Sequence, residues 1–260
     1  MTITPYWAAF TDGMRRTMAA PAELTVRIGF YAVILIVFSS LWRAATQANG
    51  GAIQGYGYRE LLWYVIAAEG CVVATKPRLI EEIGDDIGNG DVAIDMLRPV
   101  SVVGFRMAAE MGEAVVRLVC AVCLGAVFGL LTVGAPPSIE GLFAALPAAL
   151  LAVGCNITMQ YGFAAAAFWV EDAKSTWFLY QKLIFLLGGM LLPLEFLPPW
   201  LTEIARLLPF WTAAYVPARL LSGHPEWHLL LVQLGWLIAL IAAALAAFRA
   251  GEKRLVVTGG

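Results

Sequence analysis

Residues Arg78–Val100, RLIEEIGDDIGNGDVAIDMLRPV, form the longest polar stretch of an otherwise apolar chain. Glu81, Glu82, Asp85, Asp86, Asp91 and Asp95 lie here, six of nineteen acidic residues. Ile80, Ile83 and Ile87 fall at i, i+3 and i+7, which predicts a helix with one apolar stripe and acids on its other faces. Gly88-Asn89-Gly90 stops that helix, because Gly and Asn tolerate the left-handed conformation of a helix C-terminus. Asp91 is placed to cap a second short helix, and Arg98-Pro99 ends it. The segment 77–100 is therefore expected to be a helix–turn–helix on a membrane surface, offering its acids to another protein.

The rest of the chain supplies the membrane. It has 260 residues, 60% hydrophobic and 14% charged, with a mean hydropathy of +0.76. Soluble domains are nearer half apolar and a quarter charged, so a soluble enzyme is excluded and an all-α integral membrane protein is expected. Spans need about 20 apolar residues each. They are expected near 24–42, 58–76, 114–133, 142–169, 176–193 and 228–248, with the fourth tilted or broken at Pro147. Lys and Arg are biased to one side: Arg15, Arg16, Arg27, Lys76, Arg78, Arg98, Arg106, Lys174, Arg249, Lys253 and Arg254 against Arg43, Arg59, Arg206 and Arg219. That bias puts both termini and the acidic segment in the cytoplasm.

Two flanking segments are neither spans nor ordinary loops. Residues 1–23 carry Trp7, Phe10, Met14 and Met18 at helical spacing beside Arg15 and Arg16, the pattern of an interfacial helix. Residues 194–227 are too apolar for a solvated loop. Pro198-Pro199 opens one short helix and Pro209 ends it, and a second is expected from Trp211 to Leu221. Neither is long enough to cross, so both are expected as re-entrant or interfacial helices on the outer side, with Trp200, Trp211, Tyr215 and Trp227 in the aromatic belt. Gly125 and Gly129 make a GxxxG, and Gly154, Thr158, Gly162 and Ala166, and then Ala239, Ala243 and Ala247, make small-residue stripes; all are expected at helix contacts, within one subunit at least as readily as at a dimer face.

Chemical motifs are few. There is no GxxxxGK[ST] loop, so ATP is not expected to bind through a P-loop, and neither HExxH nor a Ser-His-Asp set is legible. Cys120 and Cys123 have CxxC spacing but lie in an apolar helix, where Cys reads as a small hydrophobe. His224 and His228 read as outer-surface residues rather than metal ligands. Catalytic, cofactor and metal sites are expected to be absent, and nothing points to nucleic acid. Glu69 stands alone in the second span and is expected to face a cavity, take a proton or pair with a residue such as Arg117. Asn156 and Gln160 share a face at i, i+4. With Glu69 they are candidates for a polar transport path; interhelical hydrogen bonding is the alternative.

Several pieces together resemble one family. These are the acidic helix with Ile87-Gly88-Asn89-Gly90-Asp91 and Leu97-Arg98-Pro99-Val100, then Phe168-Trp169, Gly188-Gly189-Met190-Leu191-Leu192-Pro193-Leu194-Glu195-Phe196-Leu197-Pro198-Pro199-Trp200, Leu208-Pro209-Phe210 and Pro217. The chain resembles a permease subunit of a bacterial type 2 ATP-binding-cassette (ABC-2) exporter over nearly its whole length. The resemblance implies one transmembrane domain, 1–260, in the bacterial inner membrane, with 1–23 as elbow helix and 77–100 as coupling segment. It implies a second permease, identical or related, and two copies of a separate ATPase subunit that bind ATP and Mg, while this chain binds no cofactor. The coupling contacts would be Glu81, Glu82, Asp85, Asp86, Ile87, Asn89, Asp91 and Arg98. The outer gate would involve Gly188, Gly189, Pro193, Leu197 and Pro198. An ion-coupled secondary transporter using Glu69, an intramembrane enzyme, and a non-transporting anchor or assembly protein are the competing readings.

Overall fold

The computed structural model describes residues 4–91, 100–170 and 173–258. In chain order the helices are α1 (Thr4–Ala19), α2 (Pro21–Ala48), α3 (Tyr58–Ala74), α4 (Leu79–Gly88), α5 (Val102–Val133), α6 (Ile139–Ala164), α7 (Ala173–Leu187), α8 (Pro199–Leu207), α9 (Tyr215–Leu221) and α10 (His228–Thr258). A two-residue hairpin, β1 (Ala52–Ile53) and β2 (Tyr56–Gly57), precedes α3, with Ala52 opposite Gly57. Short 3-10 turns cover Ala165–Phe168, Leu194–Phe196 and Pro209–Ala213.

Four helices among the described residues are long and apolar enough to cross a membrane: Pro21–Ala48, Val102–Val133, Ile139–Phe168 with its 3-10 turn, and His228–Lys253. The other two expected spans are covered by shorter helices. α3 has 17 residues and α7 has 15, about 25 Å and 22 Å against a hydrocarbon core of about 30 Å. α6 runs unbroken through Pro147, where a tilt or a break was expected. Pro147 lies on its exposed face. The second outer helix starts at Tyr215 rather than Trp211. Thr212 Oγ1 donates to the Pro209 carbonyl at 2.6 Å and holds residues 209–213 in a tighter turn. Trp200 and Trp227 are exposed as a belt requires, whereas Trp211 and Tyr215 are buried.

Small residues set the closest contacts. α1 buries Ala9, Gly13 and Thr17 and leaves Trp7 64% exposed, so its aromatic edge faces away from the protein. A Cβ on Gly13 would run into the Ala109 carbonyl, and one on Gly112 into the Phe10 carbonyl. Residues 10 and 13 thus face 112 and 109, and α1 lies antiparallel on the start of α5. Gly125 and Gly129 receive Tyr31, Ile66 and Trp63, so the GxxxG packs within this chain. On α10 the packed positions include Gln233, Ala244 and Phe248. Ala239 and Ala243 are exposed while Ala247 packs at the core's edge, so most of the alanine stripe lies off the helix's internal face. The reason is Gln233, whose amide donates to Ala148 and Thr212 carbonyls at 3.0 and 2.7 Å and turns that side inward.

Replacing Gly13 or Gly112 by Leu is expected to undock α1. With the four native cysteines replaced by alanine, buried Thr17→Cys should react with a maleimide only in the Gly→Leu background. Equal labelling with and without Gly13→Leu would show that the close approach is not what holds α1.

Candidate functional site

α4 sits where its sequence pattern demands. Leu79, Ile80, Ile83 and Ile87 are buried, none more than 3% exposed, and pack towards α6, α7 and the 165–168 turn. Each contributes roughly 2 kcal/mol if the alternative is water. Gly84 allows the close seat: a Cβ there would run into the Cβ of Ala173 at the start of α7. Ile87, one of the expected contact residues, therefore faces inward.

The acids divide into two sets. Glu81 pairs with Arg78 at 3.5 Å, and Asp86 pairs with Arg106 of α5; these brace the helix rather than standing free. Glu82, Asp85, Asn89 and Asp91 are exposed, although Glu82 also approaches Lys76 at 3.7 Å. Arg98 and the second short helix expected from Asp91 lie outside the described residues. Lys76 itself is a hub, reaching Glu110 at 2.8 Å and Glu113 at 3.3 Å. Arg117 is also taken, bound to Glu113 at 2.6 Å, so it is not the partner of Glu69 that the sequence suggested.

Beside α4 lies an open-sided cavity of about 760 Å³. Its walls are Phe30 and Ile34 of α2, Val72 and Val73 of α3, and Trp177, Tyr180 and Phe185 of α7, with Met190 beyond. Glu69, Asn156 and Gln160 line it together. Asn156 is held from three sides: its amide donates to Thr75 Oγ1 at 3.2 Å, and its oxygen accepts from Gln160 at 3.1 Å and Tyr180 at 2.5 Å. The pair thus both lines the cavity and ties α6 to α7 and the end of α3. Glu69 is 4% exposed, and no hydrogen bond or ion pair meets its carboxylate among the described residues. α2 and α7 both line the cavity and make little direct contact with each other.

The other end of the bundle is closed by a polar knot. Gly189 has φ +66, a left-handed conformation that Gly adopts without strain. Its carbonyl accepts from buried Tyr64, and the Gly188 carbonyl accepts from the Tyr215 backbone N–H at 3.1 Å. Pro193 leads into the 194–196 turn, and Pro198 is the N-cap residue of α8. Thr202 Oγ1 donates to the Leu194 carbonyl at 2.9 Å, pinning α8 to that turn. Leu197 packs at the core's edge. Beneath them Glu195 accepts from Tyr215 and from Arg219 at 2.7 Å. Arg219 also donates to Glu226 at 2.7 Å and to Tyr56 at 2.9 Å. Burial, and then the charge of Glu195, push the Tyr56 hydroxyl up to about 12, so it stays a neutral donor or acceptor. Burial and the adjacent Arg219 lower His224, which favours its neutral form.

Sequence reasoning passed over Tyr64, Tyr180, Arg219 and Gln233. Glu195 carried the one available signal. A carboxylate inside LLPLEFLPPW calls for a cation, and Arg206 and Arg219 are the first two that follow it in the chain. The four cysteines are free, and no cluster suited to a metal occurs among the described residues.

Long apolar helices around an open-sided cavity, with a carboxylate-bearing helix at one end, define a membrane permease. A family model described as ABC-2 family transporter protein matches residues 29–259, and the chain belongs to that family. Such a permease works in the membrane beside an ATPase subunit. No curated protein matches the chain.

Arg219→Met should lower the melting temperature in detergent by several degrees, because it leaves Arg206 at 3.9 Å as the one cation beside Glu195 among the described residues. The double variant Glu195→Gln with Arg219→Met should recover part of that loss, a coupling of about 1–3 kcal/mol. Additive losses in a thermal-shift series would show that the two do not act as a pair.

Proposed function

We propose that the chain is the permease subunit of an ATP-driven exporter, and that α4 is the element through which a cytoplasmic ATPase subunit drives it. One observation carries this reading. α4 is clamped by its isoleucine face and Gly84 against α6 and α7 while Glu82, Asp85, Asn89 and Asp91 face outward. α7 in turn supplies Trp177 and Tyr180 to the cavity wall. A push on α4 therefore reaches the cavity through packed side chains rather than through a loop.

In this reading α3 and α7 are the two further spans. The chain crosses the inner membrane six times, its termini, α1 and α4 are cytoplasmic, and α8 and α9 lie at the outer side. Glu81, Asp86 and Ile87 support the docking surface from beneath, and Arg98 belongs to its continuation. The cavity holds substrate, and Gly188, Gly189, Pro193, Leu197 and Pro198 form the loop that closes it outward. ATP and Mg belong to two copies of the ATPase, and a second permease, identical or related, completes the pathway. The unpaired Glu69 favours one other reading, an ion-coupled carrier, which would work in vesicles without ATP.

The test is affinity purification of the tagged chain from native membranes in mild detergent. A P-loop ATPase should be recovered with it, together with one or two permease species by mass spectrometry. Charge reversal of Glu82 and Asp85 to Lys should cut ATPase recovery roughly tenfold or more while the permease elutes unchanged. Undiminished recovery would remove α4 from the contact; ATP-independent transport by the chain alone would establish the carrier.

A further inference from the structure

The charged groups lining the cavity are Glu23, Arg27, Glu69, Lys76 and Lys182. On α2, Arg27 donates to the Val73 and Thr75 carbonyls at 3.3 and 2.9 Å and to Glu23 at 3.4 Å. Lys76 is held by Glu110 and Glu113. Lys182 lies exposed at the rim, 4.8 Å above the Phe178 ring. Glu69 differs from all three. It is deep, 4% exposed, and no donor or cation meets it among the described residues. The cavity is the space that Glu69 lines.

An apolar chamber with one unmet carboxylate at depth has a definite preference. The walls favour an apolar body, and a buried carboxylate is stabilised by an arriving cation far more than it would be in water. Aromatic faces of Phe30, Trp177 and Phe185 add attraction for a positive charge. The volume suits a drug-sized molecule. Arg27 and Lys76 at the mouth are already held by carbonyls and carboxylates, and Lys182 lies exposed on the rim against the Phe178 ring, so the chamber's depth offers an anion little. We propose that the cavity selects amphiphiles carrying a single positive charge, which enter from the lipid between α2 and α7 and set that charge against Glu69. The proposal rests on the reading of this cavity as the substrate site.

The test uses the full chain in nanodiscs of neutral lipid. Radiolabelled tetraphenylphosphonium and tetraphenylborate, nearly identical in shape and opposite in charge, are the probes, and empty nanodiscs set the baseline. Tetraphenylphosphonium should bind saturably, and tetraphenylborate should neither bind nor displace it. Glu69→Gln, which keeps the side chain's size, should weaken binding roughly tenfold or more. Val73→Trp should abolish it by filling the chamber with Glu69 intact, which guards against a Glu69 variant that fails to fold. Equal binding of both ions, binding unchanged by Glu69→Gln, or no binding above empty discs would overturn the proposal. Loss of binding alongside a copurifying, coupled ATPase would remove the substrate class and leave the exporter. Charge-selective binding by a chain that recruits no ATPase would uphold the substrate class and remove the exporter.

Discussion

The burial of the α4 isoleucine stripe is the contact on which the rest of the molecule depends. Ile80, Ile83 and Ile87 belong to a helix that is otherwise polar, so the helix is stable only while that stripe is covered. Covering it fixes α4 against three other elements at once: α6, α7 and the 165–168 turn. The same turn carries Phe168, which fills the space that a side chain at Gly251 of α10 would need. One apolar seam therefore runs from the surface helix through the turn to the last helix, and moving α4 as a rigid body must disturb all of it. A solvated loop bearing the same acids could be displaced without moving anything.

At the opposite end the structure uses hydrogen bonds and charge. Tyr56, Tyr64, Glu195, Tyr215, Arg219 and Glu226 come from the hairpin, α3, the 194–196 turn, α9 and the segment before α10. Polar groups in a poorly hydrated place must satisfy one another, so such a knot specifies one arrangement more strictly than apolar packing does. It is also brittle, because losing one member strands the others. The bundle is thus held by an apolar seam at one end and by a polar knot at the other.

The sequence made most of this legible, in proportion to how local the cause was. The α4 stripe, the Pro-Pro start of α8, and the aromatic edge of α1 depend on residues a few positions apart, and periodicity reads them directly. Pairings were harder. Arg117 seemed available to Glu69, but Glu113, four residues earlier on the same helix, holds it. Asp86 looked like a free surface acid until α5 brought Arg106 beside it. The alanine stripe of α10 matched a packing motif but lost to Gln233, whose amide found two buried carbonyls. In each case the outcome turned on which distant groups the fold brought near, and spacing within one helix holds no record of that.

The cavity brings the two ends together. Its walls are α2, α3, α6 and α7; α7 is in contact with α4, and its far side ends at Met190, one residue past the Gly189 carbonyl that Tyr64 holds. Asn156 ties α6, α7 and the end of α3 at mid-depth. A shift of α7 at the α4 end must therefore either break the Asn156 bonds or carry α6 and α3 along with it. Tyr64 is on α3, so a shift carried by α3 would pull at the Gly189 carbonyl. The bonds through Asn156 are thus more than interhelical glue and more than a polar lining. They join the helices packed on α4 to the helix that carries Tyr64, and they do so on the cavity wall.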